Sequence, residues 1–181
     1  QPEEITADVK AIGRAGAGVN NVPVDWCSEQ GVVVFNAPGA NANAVKELIM
    51  AGLLLGSRGI VSGIAYVDGL AEMDDADAMN KLLEKEKKNY KGSEIQGKTL
   101  GVIGLGAIGS QVANMALMMG MQVVGYDPAI SIEAAWRLSS DVKKMDSLEG
   151  LLAKSDFITL HLPVLDATRN LINAETLKSV K

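Results

Sequence analysis

Short apolar runs alternate with longer amphipathic stretches over the second half of this chain. The runs predict strands at Thr99–Ile103, Gln122–Tyr126, near Val142 and at Phe157–Leu160; the stretches between them predict helices at Ala107–Met119, near Ile132–Leu138 and at Ser147–Ala153. Regular β and α alternation builds a parallel, doubly wound sheet, and right-handed crossovers place helices on both of its faces. Earlier in the chain, Val9–Gly13 reads as a strand running into Arg14-Ala15-Gly16-Ala17-Gly18, where glycines two apart suggest backbone exposed to a ligand or held in a tight turn. Pro23–Gln30 follows as a helix with Pro near its start and Gly31 beyond its end, then a second strand at Val32–Phe35. These strands are apolar on consecutive positions, the pattern of a parallel sheet covered on both faces.

Two contrasting helices join the halves. After an Asn36-Ala37-Pro38-Gly39 turn, Asn43–Ile64 is nearly apolar all round, at Leu48, Ile49, Met50, Leu53, Leu54 and Leu55, so it predicts one long helix buried within the chain or against another subunit. Met79–Lys91 carries Glu and Lys at supporting spacings and reads as a solvated helix. The last residues before Lys181 also read as helix.

Composition narrows the classes. Hydrophobic residues make up 48% of the 181 and charged ones 22%, which excludes a disordered or low-complexity chain. Seventeen Lys+Arg against 22 Asp+Glu leave a net charge of -5, so no basic surface is expected for nucleic acid or an anionic membrane. The apolar stretch Leu48–Leu55 is under half of the roughly 20 residues that cross a bilayer, and a soluble, cytoplasmic protein is expected. A single cysteine, Cys27, forms neither an internal disulfide nor a multi-cysteine metal site, in keeping with a reducing compartment.

Gly104-Leu105-Gly106-Ala107-Ile108-Gly109 is a G-x-G-x-x-G pattern, and context gives it weight among nineteen glycines. A strand precedes it, a helix follows, and the next strand ends at Asp127, eighteen residues beyond Gly109. In a dinucleotide site Gly104 permits the turn out of the strand, Gly106 lets the backbone approach a pyrophosphate, and Gly109 lets the helix pack on the sheet. The amides of Ala107 and Ile108, with the helix dipole behind them, then face the diphosphate. Asp127 accepts from the adenosine ribose hydroxyls and repels a 2′-phosphate, and Pro128 and Ala129 bring no arginine, so NAD is expected over NADP. A carboxylate capping the next helix is the competing role for Asp127. His161, Leu162 and Pro163 follow the fourth strand, where such a sheet opens its crevice; His161, the one histidine, reads as a groove-lining residue ahead of an acid or base.

Three stretches together, Gly13–Asn21, Asn36–Glu47 and Gly92–Gly106, resemble the D-2-hydroxyacid dehydrogenases in content, order and spacing. The resemblance covers essentially the whole chain. It implies a truncated Rossmann-type NAD-binding domain plus a partial flavodoxin-like substrate domain: residues 1–40 as the end of the substrate domain's first segment, 41–96 as interdomain and dimerisation helices, and 97–181 as the start of the NAD-binding domain. It further implies a homodimer through helices 43–64 and 79–91, with Lys87 or Lys88 near the partner's site. Ala17 and Gly18 match the loop whose amides hold the substrate carboxylate, and Arg14 matches a position near a substrate phosphate, with a surface ion pair as its alternative. Leu162 matches a position beside the cofactor.

The implied reaction is NAD-dependent oxidation of a phosphorylated 2-hydroxy acid, 3-phosphoglycerate, to 3-phosphohydroxypyruvate, the opening step of serine biosynthesis. Another 2-hydroxy acid such as glycerate or lactate, and a non-catalytic NAD-sensing protein akin to the corepressors of this fold, remain as alternatives. Asn20 stands where many members carry aspartate, and Ala107 where many carry arginine. The family's arginine and its histidine–glutamate pair match no position here, so the chain is expected to be a fragment, inactive alone, without a catalytic residue or a metal.

Overall fold

The computed structural model describes residues 5–6 and 8–181; residues 1–4 and Ala7 of the expected 1–40 segment lie outside the described residues. Ala11–Arg14 (β1) and Val33–Asn36 (β2) pair in parallel, joined by Val24–Glu29 (α1), whose Cys27 is fully buried. The expected cover on both faces is not found here. Val33 and Phe35 are 52% and 61% exposed, beside Ala11 and Gly13 of β1, because α1 shields one side of a two-stranded sheet and no element among the described residues shields the other.

The apolar 43–64 stretch is two helices, Ala42–Ser57 (α2) and Ile60–Asp68 (α3), bent by 65° at Arg58–Gly59. A crossing strand of backbone explains the break. Gly59 N–H donates to the Tyr90 carbonyl at 3.1 Å, Ser93 N–H to the Ser57 carbonyl at 2.8 Å, and Arg58 Nε to the Lys91 carbonyl at 2.7 Å. A side chain on Gly59 would sit 2.6 Å from that Tyr90 oxygen. The backbone groups freed by the bend therefore find partners, and glycine alone leaves room for them. The expected burial is also partial: Ala42 and Met50 are buried in α2 and no residue in α3. The inner face of α2 packs through Ile49, Met50, Leu53 and Leu54, while Leu48, Val61, Ile64 and Val67 stay exposed. Ala76–Glu86 (α4) is the solvated helix, capped by Asp75, which accepts from Ala78 N–H at 3.0 Å.

Thr99–Ile103 (β3), Gln122–Tyr126 (β4), Lys143–Lys144 (β5) and Phe157–Leu160 (β6) form a parallel sheet in the order β5-β4-β3-β6. Ala107–Met118 (α5), Ile132–Arg137 (α6) and Leu148–Lys154 (α7) connect the strands. Leu100, Val102 and Val123 meet α5 and α2 on one face; Ile103 and Val124 meet Leu148, Leu151 and Leu152 of α7 on the other. Each fully buried Leu, Ile or Val contributes about 1.5–3 kcal/mol, so the stability of this unit is concentrated in β3, β4 and their two helical covers. The stretch before Lys181 is a 3₁₀ turn at Thr176–Ser179 instead of the expected α-helix; Asn173 and Thr176 satisfy each other's local backbone, which favours a tight turn. Among the described residues no single helix is long and apolar enough to cross a membrane.

Candidate functional site

The strand order creates the crevice. From β3 the chain builds outward through β4 and β5, then returns to place β6 on the other side of β3, so the crossovers diverge between the carboxyl ends of β3 and β6. Gly104 follows one strand and His161-Leu162-Pro163 the other, and the two segments touch. Gly104 has φ 87°, and a Cβ there would stand 2.6 Å from the His161 carbonyl oxygen and 2.8 Å from Leu162 Cδ2. Only glycine fits both the dihedral and the space.

The other two glycines separate cleanly. A Cβ on Gly109 would stand 1.9 Å from the Gly104 carbonyl oxygen and 3.4 Å from Val102 Cγ1, so this residue lets α5 press against both the turn and β3. A Cβ on Gly106 would meet no atom within 4 Å. Gly106 caps α5 without a side-chain hydrogen bond, and among the described residues no acceptor meets the Ala107 or Ile108 N–H. Ser110 donates to the Gly106 carbonyl twice, from its N–H at 3.0 Å and its hydroxyl at 2.8 Å. In a trans peptide the N–H opposes the C=O, so this pinning turns the Ala107 N–H outward into the open space. Uncapped amides, the positive end of a helix and a cleared approach suit a diphosphate.

Asp127 sits just past β4, half-buried. Its Oδ2 accepts from Leu105 N–H at 2.8 Å and its Oδ1 from Ala129 N–H at 2.9 Å. It does not cap α6; Ser131 does, accepting from Ala134 N–H at 3.1 Å. With one amide on each oxygen, the carboxylate is fixed against the glycine loop and still has acceptor capacity for two hydroxyls. Arg137, further along α6, is paired with Glu133 at 2.7 Å. The residues present therefore fit an adenosine dinucleotide with a free 2′-hydroxyl.

His161 continues the sheet by donating its N–H to the Ile103 carbonyl at 2.8 Å, and its Nε2 lies 3.0 Å from the Thr159 hydroxyl. Burial holds its pKa below the ordinary value, so the ring is neutral at pH 7. Among the described residues its ring meets a hydroxyl and no carboxylate that would orient it for proton transfer. Leu162 is half-buried against Gly104, and Pro163 is exposed at the rim.

The first sheet brings a second loop to the same place. Arg14 ends β1, and its guanidinium folds over Gly16, where Nη1 would lie 1.6 Å from an added Cβ and donates to the Ala15 carbonyl at 3.1 Å. Among the described residues no carboxylate forms an ion pair with it, so the surface-pair role is not observed. Ala17 and Gly18 are exposed. Gly39, beyond β2, approaches α5 so closely that a Cβ on it would stand 3.2 Å from Ala107 Cβ. The small residue at 107 thus admits the loop of the first sheet to the helix terminus of the second. Sequence reasoning missed Ser110, the Leu105 amide and Asn36, whose Nδ2 donates to the Ala17 carbonyl at 2.9 Å. A hydroxyl four residues after Gly106 was a local signal for the first; the other two depend on contacts between separate loops.

Comparison with known proteins places these features in context. The family model described as D-isomer specific 2-hydroxyacid dehydrogenase, NAD binding domain, matches residues 64–181. A D-3-phosphoglycerate dehydrogenase of Methanocaldococcus jannaschii is 42% identical over 96% of this chain and 30% of its own length. A hydroxypyruvate reductase of Thermotoga maritima is 38% identical over 98% of this chain and 54% of its own length. The crystal structure of NAD-bound 3-phosphoglycerate dehydrogenase of Entamoeba histolytica superposes with a TM-score of 0.68 at 31% identity, over 97% of this chain and 46% of that one. This chain thus spans between about a third and about a half of these relatives.

Proposed function

This chain belongs to the D-isomer specific 2-hydroxyacid dehydrogenase family, whose NAD-binding domain matches residues 64–181, and on that premise we propose that the complete polypeptide carrying it is a D-3-phosphoglycerate dehydrogenase. It oxidises 3-phosphoglycerate to 3-phosphohydroxypyruvate with NAD, the step that commits carbon to serine. The observation that carries the cofactor half is Asp127, anchored by two amides beside the glycine loop with acceptor capacity to spare. The substrate half rests on Arg14, a guanidinium with no carboxylate partner among the described residues at the end of β1, and on relatives named for this substrate.

When bound, the nicotinamide supplies a hydride acceptor. The chain's own residues bind and orient. Ala107 and Ile108 amides take the pyrophosphate beyond Gly104, Gly106 and Gly109; Asp127 takes the ribose; His161, Leu162 and Pro163 wall the crevice. Ala17 and Gly18 amides take the substrate carboxylate, and the Arg14 fork suits the phosphate dianion. Proton transfer falls to groups of the complete polypeptide, since His161 is paired with a hydroxyl. Residues 1–40 belong to a substrate domain, 41–96 to interdomain and dimerisation helices and 97–181 to the NAD domain. The exposed stripe of Ile60, Ile64 and Val67, which lines a groove of about 630 Å³ with Leu83 of α4, favours a homodimer through these helices. The buried thiol of Cys27 accords with the cytoplasm.

Calorimetry tests the reading directly. NAD is expected to bind at least tenfold tighter than NADP, and Asp127→Asn to narrow that gap; tighter NADP binding by the unaltered protein would overturn the role given to Asp127. A second reading, reduction of hydroxypyruvate, is favoured by the Thermotoga relative, of which this chain spans more. A preference for the phosphorylated substrate separates the two.

A further inference from the structure

Consecutive carbonyls in the loop after β1 are tied to the end of β2. The Gly16 carbonyl accepts from Ala37 N–H at 3.0 Å, and the Ala17 carbonyl accepts from the side-chain Nδ2 of Asn36 at 2.9 Å. No peptide among the described residues is cis. In a trans peptide the N–H opposes its C=O, so the Gly16–Ala17 and Ala17–Gly18 units both turn their N–H groups away from β2, side by side. Among the described residues no acceptor meets either the Ala17 or the Gly18 N–H. Two adjacent amides aimed the same way from an exposed loop form a concave donor pair that suits an anion.

We propose that Asn36 is a positioning residue for the substrate carboxylate: its side-chain amide pins the Ala17 carbonyl and thereby aims the Gly18 N–H, alongside that of Ala17, into the cleft. This rests on the reading of the Ala17–Gly18 loop as the carboxylate subsite. Of the two ties, the one to Gly16 is backbone on both sides and keeps both of its groups when Asn36 is replaced. The one to Ala17 depends on a side chain nineteen residues away. Asn36 pairs in register with Arg14 across the two strands, so the same strand end sets the loop at its start and at its centre. The unit is open on one face, and no packing at the exposed loop would restore the peptide's orientation once the amide is lost.

The test uses the complete polypeptide with NADH bound and oxalate as a carboxylate probe. Asn36→Ala and the isosteric Asn36→Asp, which presents no donor, are expected to raise both the oxalate Kd and the KM for the hydroxy acid about tenfold, the effect of one misaimed charge-assisted hydrogen bond. The Kd for NADH is expected to stay within about twofold, since the Gly104–Gly109 loop is untouched. Gly18→Pro, which removes the amide itself, checks the underlying reading. Loss of oxalate binding in Gly18→Pro with none in either Asn36 variant overturns the role of Asn36 alone. Intact oxalate binding in Gly18→Pro overturns the subsite and the inference with it. Equal losses of NADH and oxalate affinity in the Asn36 variants would mark a general folding role and also overturn the proposal.

Discussion

The second and third glycines of the loop, Gly106 and Gly109, respond to a methyl group in opposite ways. In Gly106→Ala the new Cβ meets nothing within 4 Å, and φ of -66° is open to alanine. The stability of the apo chain is expected to change by less than about 1 kcal/mol, the range of an N-cap exchange. Its NAD affinity is expected to collapse, because the methyl occupies the space a pyrophosphate needs to reach the Ala107 and Ile108 amides. Losing one charge-assisted hydrogen bond costs about 1.5–3 kcal/mol, or roughly 10- to 150-fold in Kd. In Gly109→Ala the Cβ lands 1.9 Å from the Gly104 oxygen, where ordinary contact begins at 3.4 Å. The helix must therefore retreat by about 1.5 Å, the difference between those two distances. Such overpacking costs about 1–3 kcal/mol, offset in part by up to about 1 kcal/mol of helix propensity. Urea unfolding of both variants, followed by calorimetric titration with NAD, reads the two effects separately. Undiminished NAD binding by Gly106→Ala would refute the assignment of that open space to the diphosphate. Full stability in Gly109→Ala would refute the close packing of α5 on the turn.

Further outcomes follow from the same geometry. Arg14→Ala is expected to raise the KM for a phosphorylated hydroxy acid by roughly 10- to 150-fold, the equivalent of one charged hydrogen bond, and to leave an unphosphorylated analogue nearly unaffected; steady-state kinetics on the complete polypeptide checks it. His161 is depressed by burial below 6.5, so the folded state takes up fewer protons than the unfolded state under acid conditions. Its contribution to stability is present above about pH 6.5 and is lost as pH falls toward the lower native value; urea midpoints at pH 7.5 and 5.5 are expected to differ less in His161→Gln than in the unaltered chain. Gly92 has φ of 59° and stands where a Cβ would lie 2.2 Å from the Ser57 oxygen. Gly92→Ala is expected to cost about 1–3 kcal/mol and to disturb the Tyr66–Tyr90 ring pair, a change visible in near-ultraviolet circular dichroism.

What the chain's order of residues settles by itself is local or periodic. Short apolar-rich runs between turn residues, Gly97 and Gly104 around β3 and Gly120 and Pro128 around β4, mark both strands to the residue, since a strand buried on both faces needs no alternation. The G-x-G-x-x-G spacing likewise marks a strand-turn-helix unit, because the turn at Gly104 and the helix packing at Gly109 each require a missing Cβ at a fixed offset. Tertiary structure decides whatever depends on a partner far along the chain. The bend at Gly59 exists because Tyr90 and Ser93 cross there, and a window of apolar residues carries no sign of that crossing. The bare face of β2 follows from how few strands and helices surround it, which its own apolar sequence contradicts. Asp127 becomes a fixed acceptor through the Leu105 amide, and the Ala17 carbonyl is held by Asn36, because folding brings loops from separate strands within hydrogen-bond reach. Residue types at regular spacing reveal which groups a site contains; their aim comes from contacts that only the folded chain creates.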